Sequence, residues 1–211
     1  MNGTSSHLRP ALRASRFAVL AVFFVNGVVI GTWVVRIPAI RERLSPGEGL
    51  LGVALLGAAV GALVAMPLVG ALVSRFGSRR VVGMAALVLS LSLVTPALAP
   101  SLLFLVPALI MLGAANGGLD VAMNAQAVAV ERGYGRPIMS SFHAAWSFGG
   151  LGGAALGGLL ASQGIAPLPH FYAVAVLSAI AFAGAYRALL PSQTDASGEG
   201  TPAFALSLIH I

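Results

Sequence analysis

Three features of the sequence predict an all-α membrane protein of six transmembrane helices arranged as a 3+3 inverted repeat. The 211 residues are 58% hydrophobic and only 9% charged, against roughly 25% charged in ordinary soluble domains. The apolar residues gather into six runs, each long enough to cross the hydrocarbon core, which takes about 20 helical residues. Short matches between the first three runs and the last three supply the repeat.

The runs cover 17–35, 50–73, 81–99, 102–130, 138–161 and 171–190. Arg9, Arg13 and Arg16 precede the first, as basic residues precede a secretory signal. This run is longer than a signal's apolar region, no small-residue cleavage site follows it, and five more spans come after. It therefore reads as the first span. Residues 1–14 are polar and read as a disordered cytoplasmic tail, 15–191 as the six-helix bundle, and 192–205 as the start of a flexible cytoplasmic linker. The last six residues, 206–211, read LSLIHI. They match in order the translation of a transposase adapter used in sequencing libraries, so the native frame is expected to continue past residue 205. A natural short tail is the alternative.

Every basic residue is an arginine. Nine of the twelve (Arg9, Arg13, Arg16, Arg75, Arg79, Arg80, Arg132, Arg136 and Arg187) fall on one side of the predicted bundle, and Arg36, Arg41 and Arg43 on the other. The positive-inside rule then puts both termini in the cytoplasm. The arginines form no continuous basic face, so the net charge of +6 does not point to nucleic acid. Cysteine is absent, which excludes disulfides, thiolate metal sites and cysteine nucleophiles. The four histidines lack metal-ligand spacing. No GxxxxGK loop is present for ATP, so ATP hydrolysis is excluded and no cofactor is expected.

The repeat rests on two matches. Asn26-Gly27 in the first span corresponds to Asn116-Gly117 in the fourth, and GALVSRFG from Gly70 corresponds to GGLLASQG from Gly157. Gly70 follows Asn26 by 44 residues and Gly157 follows Asn116 by 41. Three spans per copy oblige the second copy to enter the membrane upside down, an arrangement that places transporter sites near the midplane between repeats. The fifth span carries GGLGGAALGG over 149–158. Small residues at spacings of three and four let helix backbones approach closely, either for plain packing or for sliding against a neighbour.

Polar residues interrupt the fourth span in NGGLDVAMNAQ. Asn116, Asp120 and Asn124 are four apart and share one helix face. An aspartate near the centre of a span costs roughly 2.5 to 3.5 kcal/mol on insertion scales and usually marks an ion or substrate path. Lining a cavity is the favoured reading, and a carboxylate snorkelling to the interface is the other. In the fifth span Ser140, His143 and Ser147 share a face beside Trp146. The short connection between these spans brings His143 toward the level of Asp120 and Asn124. Asp120 is the candidate carrier of a coupling proton, with His143 either its partner, a substrate ligand, or a histidine bonded within the core. Asn26 is the repeat counterpart of Asn116. At the far end of the first span Trp33 reads as an interfacial anchor, while Arg36 attracts an anionic substrate, gates the outer mouth or snorkels. Arg132 and Arg136 read as topology determinants and partners of Glu131.

The segment GALVSRFGSRR, residues 70–80, is similar to the signature Gly-x-Leu-x-Asp-Arg-x-Gly-Arg-Arg of the major facilitator superfamily. Gly70, Leu72, Arg75, Gly77, Arg79 and Arg80 fit, with the basic pair moved one place along. Ser74 stands where the signature has aspartate, which removes the carboxylate of the family's usual contact in this loop. NGGLDVAMNAQAVAVE and GRPIMSSFHAAWSFGG resemble bacterial inner-membrane permeases related to fucose permeases. The resemblance covers about 17–190. It implies one six-helix, amino-terminal half of a twelve-helix secondary active transporter in the inner membrane, often proton-coupled. The expected partners are the lipid bilayer, an unidentified small solute, a proton or other ion gradient, and a missing carboxy-terminal half.

Two other classes are compatible with six spans. A natural six-span chain could work as a homodimerising half-transporter or channel. An intramembrane serine protease would need a serine activated by a histidine from another helix. Ser141 and His143, the one histidine read into a span, lie two residues apart on one helix, and no GxS motif precedes them. The chain is therefore not read as an enzyme.

Overall fold

The computed structural model describes residues 4–45 and 48–192. They form eight helices: α1 (Thr4–Val35), α2 (Ile37–Leu44), α3 (Glu48–Phe76), α4 (Ser78–Ser92), α5 (Thr95–Leu98), α6 (Leu102–Tyr134), α7 (Met139–Ser162) and α8 (Pro167–Tyr186). Six stretches among the described residues are long and apolar enough to cross a membrane: Pro10–Leu44, Gly49–Phe76, Ser78–Leu98, Leu102–Tyr134, Met139–Ser162 and Pro167–Tyr186. The protein is thus a multi-pass membrane protein. Prolines mark several breaks: Pro38 opens α2, Pro96 opens α5 and Pro167 opens α8, at positions where a missing N–H leaves no hydrogen bond unmade.

Helices joined by the short connections are not the ones packed most closely. The tightest pairs are α1 with α7 and α3 with α6. If spans one, two and three correspond to four, five and six, these two pairs are the same contact made twice. The lesser pairs α4 with α6 and α1 with α8 match in the same way. This is the contact pattern of two interlocked three-helix repeats around a pseudo-twofold axis. Glycine makes both tight pairs possible. A Cβ on Gly27, Gly31, Gly149 or Gly153 would overlap the carbonyl oxygen of Trp146, Gly150, Phe24 or Val28 on the facing helix, and one on Gly61 or Gly113 would overlap that of Ile110 or Ala58.

Hydrogen bonds follow the same symmetry. Ser178 of α8 donates to Ser90 of α4 at 3.2 Å, a self-contact of the third span with the sixth. At the end of the bundle where α1 begins and the chain leaves α8, buried Gln126 donates to Ser78 Oγ at 2.7 Å and to the Leu190 carbonyl at 3.1 Å, and accepts from the Leu190 amide at 3.1 Å. It thereby ties the fourth span to the start of the third and to the chain leaving the sixth. Arg36, 90 positions before Gln126, does the equivalent at the other end. Its Nε donates to His170 Nδ1 at 3.1 Å and its Nη1 to the Ile165 carbonyl at 2.9 Å. Arg43 of α2 donates to the carbonyls of Pro96, Ala97 and Ala99, a cation on the carbonyl end of the third span.

Several expectations are corrected. Within residues 1–14 the structure describes helix from Thr4 onward, with Leu12 packed on Gly133 of α6 and the core, and beyond that stretch Arg16 stacks over Tyr134, 5.4 Å from the ring centroid. Residues 1–3, and the linker and adapter-like tail from 193 onward, lie outside the described residues. Glu131 is not held by the neighbouring arginines. Its Oε2 accepts the amides of Ile138 at 2.7 Å and Met139 at 2.6 Å, so it caps α7, where a carboxylate favours the positive helix end. Arg136 instead lies over Tyr134. Trp33 is buried against Phe171, at a centroid distance of 6.2 Å, and does not anchor at the interface.

Gly113 and Gly152 separate packing from propensity, since a Cβ at Gly152 meets nothing within 4 Å. Gly113→Ala is expected to destabilise the chain by roughly 1 to 3 kcal/mol in denaturation from detergent, and Gly152→Ala to leave it unchanged. Equal behaviour of the two would mean that the close approach of α3 and α6 is dispensable.

Candidate functional site: a polar cluster at mid-span

Asn26 sits near the centre of the first apolar run, 1% exposed. It is there because Gly27 and Gly31 let α1 lie against α7, bringing Trp146 within reach. Asn26 Nδ2 donates to Asn116 Oδ1 at 2.9 Å, and Asn26 Oδ1 accepts the indole N–H of Trp146 at 2.7 Å. One amide thus joins the first, fourth and fifth spans. The bond between Asn26 and Asn116 links two residues that the repeat makes equivalent. Such a bond must be made within the protein, because hydrocarbon offers the amides no other partner.

One turn further along α6, Asp120 lies close to the middle of this 33-residue helix. Asn124 donates to its carboxylate at 3.2 Å and to its backbone carbonyl at 2.9 Å. His143 of α7 is within electrostatic reach of the carboxylate, and its ring stands edge-on to Phe23 at 5.4 Å. Asp120 is partly buried and His143 exposed, so the acid is held on the bundle and the imidazole stands on its open side. Ser140 and Ser147 share that open side, and Ser147 donates to the carbonyl of His143 within its own helix. Ser141 gives its hydroxyl to the Ile138 carbonyl at 2.6 Å, which leaves it no part in a serine–histidine pair. Among the described residues no group of three or more His, Cys, Asp or Glu could hold a metal.

The structure therefore brings Asn26, Asn116 and Trp146 into one bonded group, and Asp120, Asn124 and His143 into a second beside it. Arg36 belongs to neither. It is 1% exposed at the far end of α1, enclosed with a histidine that sequence reasoning passed over. His170 lies inside the last span because α8 begins at Pro167, ahead of the apolar run, and proline at its first position was the available signal. Arg36 does not snorkel. With His170 Nδ1 accepting from Arg36 Nε, the ring proton sits on Nε2. That atom and Arg36 Nη2 are buried without a hydrogen-bond partner.

The signature loop divides in two. Gly77 has φ +80°, and Ser192 occupies the space a side chain would need there. Ser78 beside it is buried under Gln126. Gly70, by contrast, has open space around it, and Leu72, Ser74, Arg75 and Arg80 are exposed, with Ser74 bonded only to the Gly70 carbonyl of its own helix. Arg79 lies over Tyr186 at 4.9 Å.

Residues 16–209 match the family model described as Major Facilitator Superfamily. The chain is 41% identical over 159 residues to an uncharacterized transporter of Sinorhizobium fredii (strain NBRC 101917 / NGR234), covering 75% of this chain and 42% of that protein. It is 38% identical over 168 residues to an uncharacterized MFS-type transporter of Yersinia pestis, covering 80% and 44%. The membrane protein MosC of Rhizobium meliloti is 38% identical over 147 residues, covering 70% and 36%. The chain thus spans less than half the length of each of these curated relatives.

Replacing Asn26 by alanine strands the Trp146 N–H and the Asn116 amide, with an expected cost of roughly 1 to 3 kcal/mol and a displaced Trp146 indole resonance in a nitrogen-15 spectrum. Asn124→Ala breaks bonds only within α6 and should leave that resonance in place. An unmoved indole signal in Asn26→Ala would exclude the three-helix bond.

Proposed function

The chain belongs to the Major Facilitator Superfamily, and from that premise we propose that it is one six-helix body of a secondary active transporter for a small solute, coupled to protons through Asp120. The observation that carries this reading is the Asp120 carboxylate at mid-span, held by Asn124 and within the field of His143 on the open side of the bundle. A carboxylate there is costly in hydrocarbon, and a protonation cycle coupled to solute occupancy is the use that offsets the cost. Asn26, Asn116 and Trp146 form the fixed wall beside it, while His143 and Ser147 are the groups free to meet solute or the proton. Arg36 closes the opposite end from the termini and does not contact solute. The arginine-rich end with both termini faces the cytoplasm, and the membrane is a bacterial inner membrane. All three arginines assigned to the far side are consistent with this: Arg36 and Arg43 hold carbonyls and a ring, and Arg41 is also engaged.

A second body is required. The spans Gly49–Phe76 and Met139–Ser162 are the least buried of the six, and they are the second members of the two repeats. Both turn uncovered glycines outward, Gly52 and Gly70 on one and Gly152 on the other. Polar His143 and Ser147 on that side need protein or water and not lipid. A carboxy-terminal six-helix half, encoded past residue 205, is the proposed cover.

Two measurements test this. The 211-residue chain in vesicles is expected to show no solute flux, and sequencing the locus across codon 205 to show further apolar spans. Robust flux by this chain alone would favour a homodimer and sink the two-half reading. In the continuous protein, Asp120→Asn should abolish solute-dependent proton movement across vesicles while solute exchange persists. Undiminished proton movement in that variant would remove Asp120 from the coupling role.

A further inference from the structure

At the arginine-rich end, away from the polar cluster, a cleft of about 710 Å³ opens between α4 and α8. Its walls include Met84, Leu87, Ala179, Phe182 and Ala183, and Arg80 and Arg187 stand at its mouth. Arg80 opens α4 and Arg187 follows the last residue of α8, so the two charges lie at one level. Leu87 is two turns deeper than Arg80, about 10 Å along the axis, and Ala179 about 12 Å deeper than Arg187. The cleft is therefore charged at the membrane interface and apolar toward the membrane interior, the polarity of a phospholipid.

The mouth is built. Gly83 gives room for the Tyr186 ring, since a Cβ there would stand 2.9 Å from the ring Cε2. Arg79 lies over that ring and donates to the Arg187 carbonyl at 3.4 Å, which fixes the chain where Arg187 branches off. Arg79 Nε is itself buried without a partner. Among the described residues lining the cleft none is acidic, so the two exposed guanidinium groups lack a counter-charge there. Basic pockets between transmembrane helices hold anionic head groups for this reason. Free phosphate would satisfy the arginines and leave the apolar walls empty.

The geometry points to a specific site for one anionic phospholipid, its phosphate held by Arg80 and Arg187 and an acyl chain laid along Met84, Leu87 and Ala183. The assignment needs only the placement of these helices in a bilayer and does not rest on the transport mechanism. The site ties the third span to the sixth from the lipid side, where they already share the Ser90–Ser178 bond.

The test uses the 211-residue chain in bilayer discs of equal phosphatidylcholine and phosphatidylglycerol, released into the gas phase for native mass spectrometry. The wild type should retain one phosphatidylglycerol in preference to phosphatidylcholine. Arg80→Gln with Arg187→Gln, both at exposed positions, should lower that retention by about tenfold or more. Ala183→Trp, which fills the cleft and keeps both arginines, should lower it as well. Equal retention of the two lipids by the wild type, or unchanged retention in the double variant, would overturn the site. Retention that survives Ala183→Trp but is competed away by inorganic phosphate would assign the arginines to free phosphate and overturn the lipid.

Discussion

Hydrocarbon gives helices no reason to associate by expelling water, so a bundle within it is held by direct contact. In this protein that contact is backbone against backbone. Six glycines on α1, α3, α6 and α7 stand where any side chain would strike a carbonyl of the facing helix. Everything else follows from the closeness they permit. The indole of Trp146 reaches Asn26 only because α7 lies flush on α1, and Asn26 reaches Asn116 only because the two tight pairs are nested around one axis.

Polar groups are then placed by what they must join. Gln126 and Arg36 are buried at opposite ends of the bundle, and each connects the first helix of one repeat to the third helix of the other, with a further bond to the chain that leaves or enters the sixth span. The two do the same mechanical work with different chemistry. An amide satisfies both its donor and its acceptor at one end, whereas a guanidinium and an imidazole at the other keep one donor each unmet. The second arrangement is the costlier one, because unpaired buried donors lose their water without replacement.

Much of the architecture could be read from the residues because length and apolarity govern insertion, and a single stripe such as Asn116, Asp120 and Asn124 names its own face. The repeat was legible from Asn-Gly pairs and GxLxxxxG loops, although only the contacts show that α1 packs on α7 and not on its sequence neighbours. What escaped was set by tertiary partners. His170 lay outside an apolar run yet inside a helix. Trp33 had the composition of an interface anchor but found Phe171 within the bundle, and Glu131 met helix amides before it met an arginine. Local sequence carries no mark of such partners, because each lies on another helix or beyond a turn.

The pairs Asn26–Asn116 and Ser90–Ser178 have a consequence for ancestry. A residue on a twofold axis faces its own copy, so if this fold arose by doubling a three-helix gene, each such position first held the same side chain against itself. Only a group that donates and accepts at once can satisfy that demand: an amide or a hydroxyl can, while a carboxylate meets another acceptor and a guanidinium another donor. Asparagine and serine are what stand there now. Asp120, one turn along α6 from the axis pair, faces no copy of itself and is under no such demand, whereas the axis pairs carry chemistry that a symmetric dimer could use.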